Sequence, residues 1–344
     1  MNIQARRVFR LALTTAVALT IAYALGGLFA FMAPLFAFLM ALKPAPPTGA
    51  RGLMLVVLVI ALTTGSGLLL VPLLMHFPAT GLLVVALGLY FGTILTLNLR
   101  QAALGLFVAL GVTLISATGL YNFTMGRTLV EALISGMVIA IISHWLVYPF
   151  FPEDPSGKKS VSPPPAADAD TNGWIAIRST LIVLPVYFMA LNNPSLYMAA
   201  IMKSVSLGQQ ASELDAAHAG RELLGSTFLA GIHAMLFWVG LSILPNLWMF
   251  FLWTLLFGIY VGGKIYGLLP TGYSASFWVN VMTTLLILIG PAVADVSSGK
   301  DVYMASFIRL SLFVVVSLYA WWTLSLLDAW RRRRLANHTR AEAV

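Results

Sequence analysis

Lys203 is the residue whose type and position could most readily do chemistry. It stands in an apolar stretch nine residues after Pro194, and Lys43 stands nine residues after Pro34 in the same way. A cation at membrane depth is costly unless it is paired or used. Such a lysine could hold the charge of an anionic substrate or serve as a proton site. The plainer alternative is a side chain that snorkels its charge to the interface and orients its helix. For Lys43 the plainer alternative leads, because Pro44, Pro46 and Pro47 follow at once and mark a loop.

Other polar residues in apolar surroundings form a second rank. Glu131 and Arg309 each fall about one turn inside the outer end of the last helix of their half. They could pair across the pseudo-symmetry axis as an outer gate or a proton relay; a structural pair or an interfacial charge is the plainer alternative. His233 falls mid-span, where an imidazole could couple to protons; a ring satisfied by a carbonyl of its own helix is the plainer expectation. Asn280, Thr283 and Thr284 put polar groups in one span, with Tyr273, Ser274 and Ser276 nearer its inner end. Helix–helix hydrogen bonding explains these as well as a substrate path does. His76 and His218 fall in loops and His144 toward the inner end of its span; no pair has metal-ligand spacing. There is no Gly-rich phosphate loop, nucleophile elbow or paired-acid motif. No enzyme, cofactor or metal is therefore expected, and any transport should draw on an ion gradient or a partner.

The elements that position these residues are read from composition. The 344 residues are 60% hydrophobic and 9% charged, with mean hydropathy +0.91, which is too apolar for a soluble domain. There is no cysteine, and the net charge of +8 follows membrane orientation rather than nucleic acid. Arg6, Arg7 and Arg10 before an apolar run resemble a signal peptide, but the apolar pattern continues along the whole chain, so the segment is read as a first helix.

Helices are expected at 8–27, 29–43, 53–75, 80–97, 102–119 and 128–150, and again at 174–191, 194–207, 222–244, 247–263, 273–293 and 302–327. The expected fold is an all-α polytopic membrane protein of about twelve spans (ten to twelve), in two parallel six-helix repeats. Residues 1–151 and 174–330 form the repeats, 152–173 a Pro-rich cytoplasmic linker, and 331–344 a basic cytoplasmic tail. The repeat carries residues with it. Gly88-Leu89-Tyr90-Phe91-Gly92 recurs as Gly258-Ile259-Tyr260-Val261-Gly262, and Arg51 recurs as Arg221. The glycines suit close helix packing, and Tyr90 and Tyr260 could offer aromatic surface to a substrate. Twelve spans place seventeen of the 20 lysines and arginines inside; Arg127 and Lys300 fall outside and Arg309 within the last helix. Ten spans in inverted halves would place Lys43, Arg51, Arg100, Lys158, Lys159, Arg178 and Lys300 outside, twelve inside against seven outside, so twelve spans are preferred.

One consequence is geometric. Two full crossings need about 40 residues, yet 32 residues separate Arg10 from Lys43 and 24 separate Arg178 from Lys203. Either Lys203 lies within the bilayer thickness, or 194–207 is a broken or re-entrant piece. Asn192-Asn193-Pro194 supports a break, since proline lacks a donor and the amides can satisfy exposed backbone. Gln209, Gln210, Glu213, Asp215, Arg221 and Glu222 make the inner loop that follows polar and longer than its counterpart.

The pattern resembles the fusaric-acid-resistance and aromatic-acid-exporter superfamily, in a compact inner-membrane branch of unknown function. The likeness rests on the Arg-rich start into an Ala/Leu-rich helix (Arg6 to Ala24), a short second helix, a basic residue opening the third (Arg51, Arg221) and the repeated six-helix block. Larger relatives carry a sizeable cytoplasmic domain where only 152–173 stands here. The resemblance implies an inner-membrane efflux component of Gram-negative bacteria; the placement of basic residues over twelve spans puts both termini in the cytoplasm. It implies aromatic carboxylates or similar organic anions as substrates, with a periplasmic adaptor and an outer-membrane channel as partners. Self-association is left open, and no nucleic acid is expected.

The leading expectation is a proton-linked exporter. The substrate would bind between the halves, Lys203 would supply charge, and Tyr90, Tyr260 and Asn280 would complete the site. Glu131, Arg309 and His233 would couple or gate. The alternative is a non-transporting membrane scaffold, or a partner subunit of an envelope complex.

Overall fold

A computed structural model describes residues 2–99, 102–153, 169–210, 216–297, 299 and 301–342. The helices, in order, are α1 (Ile3–Ala24), α2 (Met32–Ala41), α3 (Ala50–His76), α4 (Pro78–Leu99), α5 (Ala102–Leu110), α6 (Ser116–Tyr121) and α7 (Phe123–Val147). Then come α8 (Ala169–Asn192), α9 (Pro194–Gln210), α10 (Ala216–Ile243), α11 (Leu247–Ile265), α12 (Ala275–Ser297) and α13 (Val302–Glu342). A π turn, Gly111–Ile115, joins α5 to α6 into one long rod. No strand occurs among the described residues.

Ten of these rods are long and apolar enough to cross a membrane. α2 and α9 fall short of that, which is the difference from twelve full spans. At 1.5 Å per residue the ten residues of α2 reach only about 15 Å, half the hydrocarbon thickness. Hydroxyls inside the rods return to their own helices: Thr15, Thr64, Thr118, Thr180 and Thr254 each bond the carbonyl four residues back. This lets polar residues sit in apolar rods without an orphaned donor. Pro72, Pro185 and Pro291 lie inside α3, α8 and α12, as is tolerated where neighbouring helices shield the freed backbone.

Specific contacts fix the trace. Arg10 at the start of α1 bonds Phe151 O and Glu153 just past α7. Gly262, near the end of α11, lies against Val8 and Leu11. Asn172 at the start of α8 bonds Asn98 at the end of α4, and Arg178 bonds Asp328 on α13. Tyr266 Oη donates to Leu42 O, and Trp145 Nε1 to Thr48 O. All these residues gather at one basic end of the bundle. From it α1, α3, α5–α6, α8, α10 and α12 run outward, while α2, α4, α7, α9, α11 and α13 return.

The two short helices therefore close hairpins that come back to the end they left. The α1–α2 turn rests on Ala132, Ser135, Gly136 and Ile139 of α7 beside a cleft of about 140 Å³, and α7 continues past it to Phe123. These hairpins also join the two halves of the chain. α1 lies along α11 and α2 touches α12; α8 lies along α4, and α9 touches α5 and the π turn. Ser116 Oγ and Tyr187 Oη, 3.0 Å apart and both buried, tie α6 to α8.

Three boundaries differ from expectation. The polar stretch after residue 207 is largely helix, because α9 continues to Gln210 and α10 begins at Ala216; residues 211–215, with Glu213 and Asp215, lie outside the described residues. Residues 154–168 of the expected linker also lie outside, and 169–173 already belong to α8. α13 does not stop before the basic tail but runs 41 residues, through Arg331–Arg334.

Candidate functional site

Lys203 lies in the middle of α9, and its side chain is 1% exposed. α9 is launched by the break expected at 192–194. Asn193 Oδ1 accepts from Leu196 N at 3.2 Å, and Asn192 Nδ2 donates to Phe188 O at 3.1 Å, so the turn's backbone groups are met by its own amides. The lysine Nζ donates to Asn280 Oδ1 at 2.9 Å and to Thr284 Oγ1 at 2.7 Å, both on α12. Asn280 Nδ2 in turn donates to Ser226 Oγ on α10 at 2.5 Å. The α9 ammonium is thus held by α12, and the Asn280 amide is oriented from behind by Ser226 of α10.

An ammonium has three donors, and two are spent here on neutral oxygens. Among the described residues no carboxylate pairs with Lys203. A buried charge compensated only by dipoles is what an anionic ligand completes. At about 4 Å and an effective dielectric near 20, such a pair attracts by roughly 4 kcal/mol before desolvation.

The polar groups continue toward the basic end. Ser276, Asn280 and Thr284 recur every four residues on one face of α12, and Glu222 and Ser226 do so on α10. Ser276 Oγ donates to Glu222 Oε2 at 2.8 Å, and Ser274 Oγ donates to the other oxygen of that carboxylate. Exposure is graded along the face: Ser274 is exposed, Ser276 half-buried, and Asn280 and Thr284 buried. Beside it Tyr273 stacks on Phe277 at 4.2 Å, and Phe277 packs on Gly225 of α10.

Of the four residues expected to bind substrate, only Lys203 and Asn280 come together. Tyr260 is half-exposed, stacked 5.8 Å from His233 with Trp278 at its edge and the Lys264 Nζ 5.6 Å above it. Tyr90 packs against Phe91, with its hydroxyl 3.3 Å from where a Cβ would stand on Gly173 of α8. The paired glycines serve packing: Gly258 leaves room for the backbone of Ala12, and Gly88 and Gly92 for Val112 and Val108. Lys43 is exposed beyond the end of α2, so the two lysines nine residues after proline share a register but not an environment. Arg51 is exposed at the start of α3; the side chain of its counterpart Arg221 on α10 lies outside the described residues.

The expected Glu131–Arg309 pair is corrected. Glu131 is exposed and bonds Arg127 one turn back on its own helix at 2.9 Å. Arg309 pairs with Asp295 at the outer end of α12, a closer acid than one across the bundle. His233 Nδ1 lies 2.7 Å from Leu229 O, the carbonyl of its own helix. None of the three adjoins Lys203. Among the described residues no cluster of three metal-ligating side chains occurs.

Sequence reasoning missed the ion pairs at the basic end. Arg10 is 0% exposed, and Glu153 receives both Arg10, at 2.9 Å, and Arg7. Burial alone would push the Glu153 carboxyl up, but the bonds from Arg7 and Arg10 outweigh it and hold it below the usual carboxylate range. Arg178 and Asp328 make the corresponding link from α8 to α13 at 3.1 Å. The available signal was an arginine inside the first turns of each half, answered by an acid just past that half's last span.

Fold and site together define a multi-pass, helical membrane protein with a buried lysine that no carboxylate meets among the described residues. A family model described as a protein of unknown function (DUF2955) matches residues 7–147, which is α1 to α7 and leaves Lys203 outside the match. No curated protein and no solved structure matches the chain.

Proposed function

We propose that this protein is an inner-membrane exporter of small organic anions, aromatic carboxylates being the favoured class, with Lys203 as the counter-ion for the substrate's charge. The observation that carries this reading is the ammonium of Lys203, buried on α9 and met, among the described residues, only by Asn280 and Thr284 of α12. A structural lysine would be expected to have an acid beside it or a route for its head to water. Export would draw on the proton gradient. The membrane potential would assist, since a unit negative charge leaving a negative interior gains about 2.3 kcal/mol per 100 mV.

In this reading the basic end faces the cytoplasm, following the positive-inside rule, and both termini lie there. The halves are parallel repeats. Support comes from matched packing: α1 on α11 with α8 on α4, a returning hairpin at the start of each half, and the pairs Arg10–Glu153 and Arg178–Asp328 at corresponding places. An adaptor and an outer-membrane channel remain the expected partners. The scaffold alternative has no observation in its favour comparable to Lys203.

Uptake of labelled 4-hydroxybenzoate into inverted membrane vesicles, with and without an imposed proton gradient, tests the proposal. Gradient-dependent accumulation above vesicles lacking the protein is expected. Equal uptake with and without the inserted protein, across several aromatic carboxylates, would shift the weight to the scaffold.

A further inference from the structure

We infer that access to Lys203 runs inside the second half of the chain, down the facing polar surfaces of α10 and α12, and that Glu222 is the residue that shuts its mouth. The inference rests on the anion reading of Lys203 and adds a route and a gating residue to it.

The facing surfaces are polar in a continuous line. On α12 the line is Ser276, Asn280 and Thr284, one residue per turn; on α10 it is Glu222 and Ser226. Cross-links join the two at each level: Ser276 to Glu222, Asn280 to Ser226, and Lys203 from α9 to Asn280 and Thr284. The line opens on the surface at Ser274 and ends on a cation. The corresponding stretch of the first half gives no such path. Lys43 stands exposed past α2, and the π turn of α5–α6 closes directly onto α3, where a Cβ on Gly111 would meet Thr63 O at 2.2 Å. The seam between the halves is closed as well, by the buried Ser116–Tyr187 bond.

Glu222 sits where the line meets the surface. Its two carboxylate oxygens accept hydrogen bonds from the hydroxyls of Ser274 and Ser276. A free organic carboxylate arriving at the mouth would need those same hydroxyls, and would meet a like charge holding them. The observed arrangement is therefore the closed one. It opens when the Glu222 carboxylate lets go, which frees two donors above a third, the unspent N–H of Lys203. The Tyr273–Phe277 stack beside the mouth offers ring surface to an aromatic acid.

The chain contains no cysteine, so single-cysteine variants report one position each. The test labels Ser276→Cys, Ser226→Cys and Thr284→Cys in inverted vesicles with a charged, membrane-impermeant thiol reagent, with Ser116→Cys marking the seam between the halves. Ser276→Cys should react first and Thr284→Cys more slowly. Glu222→Gln should speed Thr284→Cys by on the order of tenfold, as expected when charge-assisted hydrogen bonds are lost. Ser116→Cys should stay unreacted. Thr284→Cys that stays unreacted in both backgrounds while Ser276→Cys reacts would overturn the route. So would Ser116→Cys reacting faster than Thr284→Cys. The labelling uses no substrate, so it stands apart from the transport reading. Millimolar 4-hydroxybenzoate should slow Thr284→Cys, and failure of such protection at a position that reacts would count against the anion reading alone.

Discussion

Lys203 is a buried charge and Glu153 a half-buried one, and they should answer mutation in opposite ways. Lys203 has no ionic partner among the described residues, so Lys203→Met removes a desolvated charge without orphaning another. Stability in detergent should hold or rise, by on the order of 1 kcal/mol, as when buried ions give way to apolar groups, while anion transport falls to background. A melting temperature that drops sharply would mark Lys203 as structural. Glu153 answers two arginines, one of them fully buried. Glu153→Gln should cost about 1–3 kcal/mol, the range for losing a charged hydrogen-bond partner, seen as a lower melting temperature at pH 7. Its carboxyl is held below the usual range in the folded protein. Its contribution is thus present above the ordinary carboxylate range and is lost as pH falls through the lowered value. The difference in melting temperature between wild type and Glu153→Gln should narrow on acidification; a constant gap would contradict the pairing. Lys203 was legible in the sequence because a lone cation in an apolar run is expensive wherever it lands. Its partners were legible only as a type, since Asn280 and Thr284 stand about eighty residues away and nothing local aims them at α9. The Glu131–Arg309 pairing failed for the same reason: equivalent depth does not make two charges neighbours when Arg127 and Asp295 are closer.

The rods were legible as elements because long apolar stretches bounded by charge admit few alternatives in a membrane. Their ends were less so, and α9 shows why. Its last turn, Gly208-Gln209-Gln210, reads as loop, yet Gly208 packs against Ser179 and Val183 of α8 and the helix runs on to Gln210. The π turn at Gly111–Ile115 left no trace in composition. It places Gly111 so close to α3 that an added Cβ would lie 2.2 Å from Thr63 O, while one on Gly67 would lie 2.0 Å from Gly111 O. Backbone on both sides leaves nothing flexible to yield. Gly111→Ala should therefore lower stability by a few kcal/mol, comparable to overpacking a core, and show as a loss of folded protein by size-exclusion profile. Gly272→Ala, in a loop with no atom near its would-be Cβ, is the control and should be neutral.

For the molecule as a whole, the hairpins matter more than the span count. Because α2 and α9 return to the basic end, the chain keeps the parity of twelve segments although ten helices are long enough to cross. The short spacing between Arg178 and Lys203 contained that result. What it could not contain was the exchange of hairpins between halves, with α1 on α11 and α8 on α4, because packing partners distant in sequence leave no periodic mark. That exchange makes each half depend on the other. Expressed alone, 1–153 should insert but melt well below the full chain, since α1 and α4 would lose the neighbours that cover them; co-expression with the second half should restore the full-chain melting profile. The most direct test of the function proposed here compares wild type and Lys203→Met, matched for inserted protein, in gradient-driven accumulation of labelled 4-hydroxybenzoate by inverted vesicles. Accumulation by wild type that vanishes in a stably folded Lys203→Met is the predicted result; equal accumulation by both would contradict a role for Lys203 in carrying the anion.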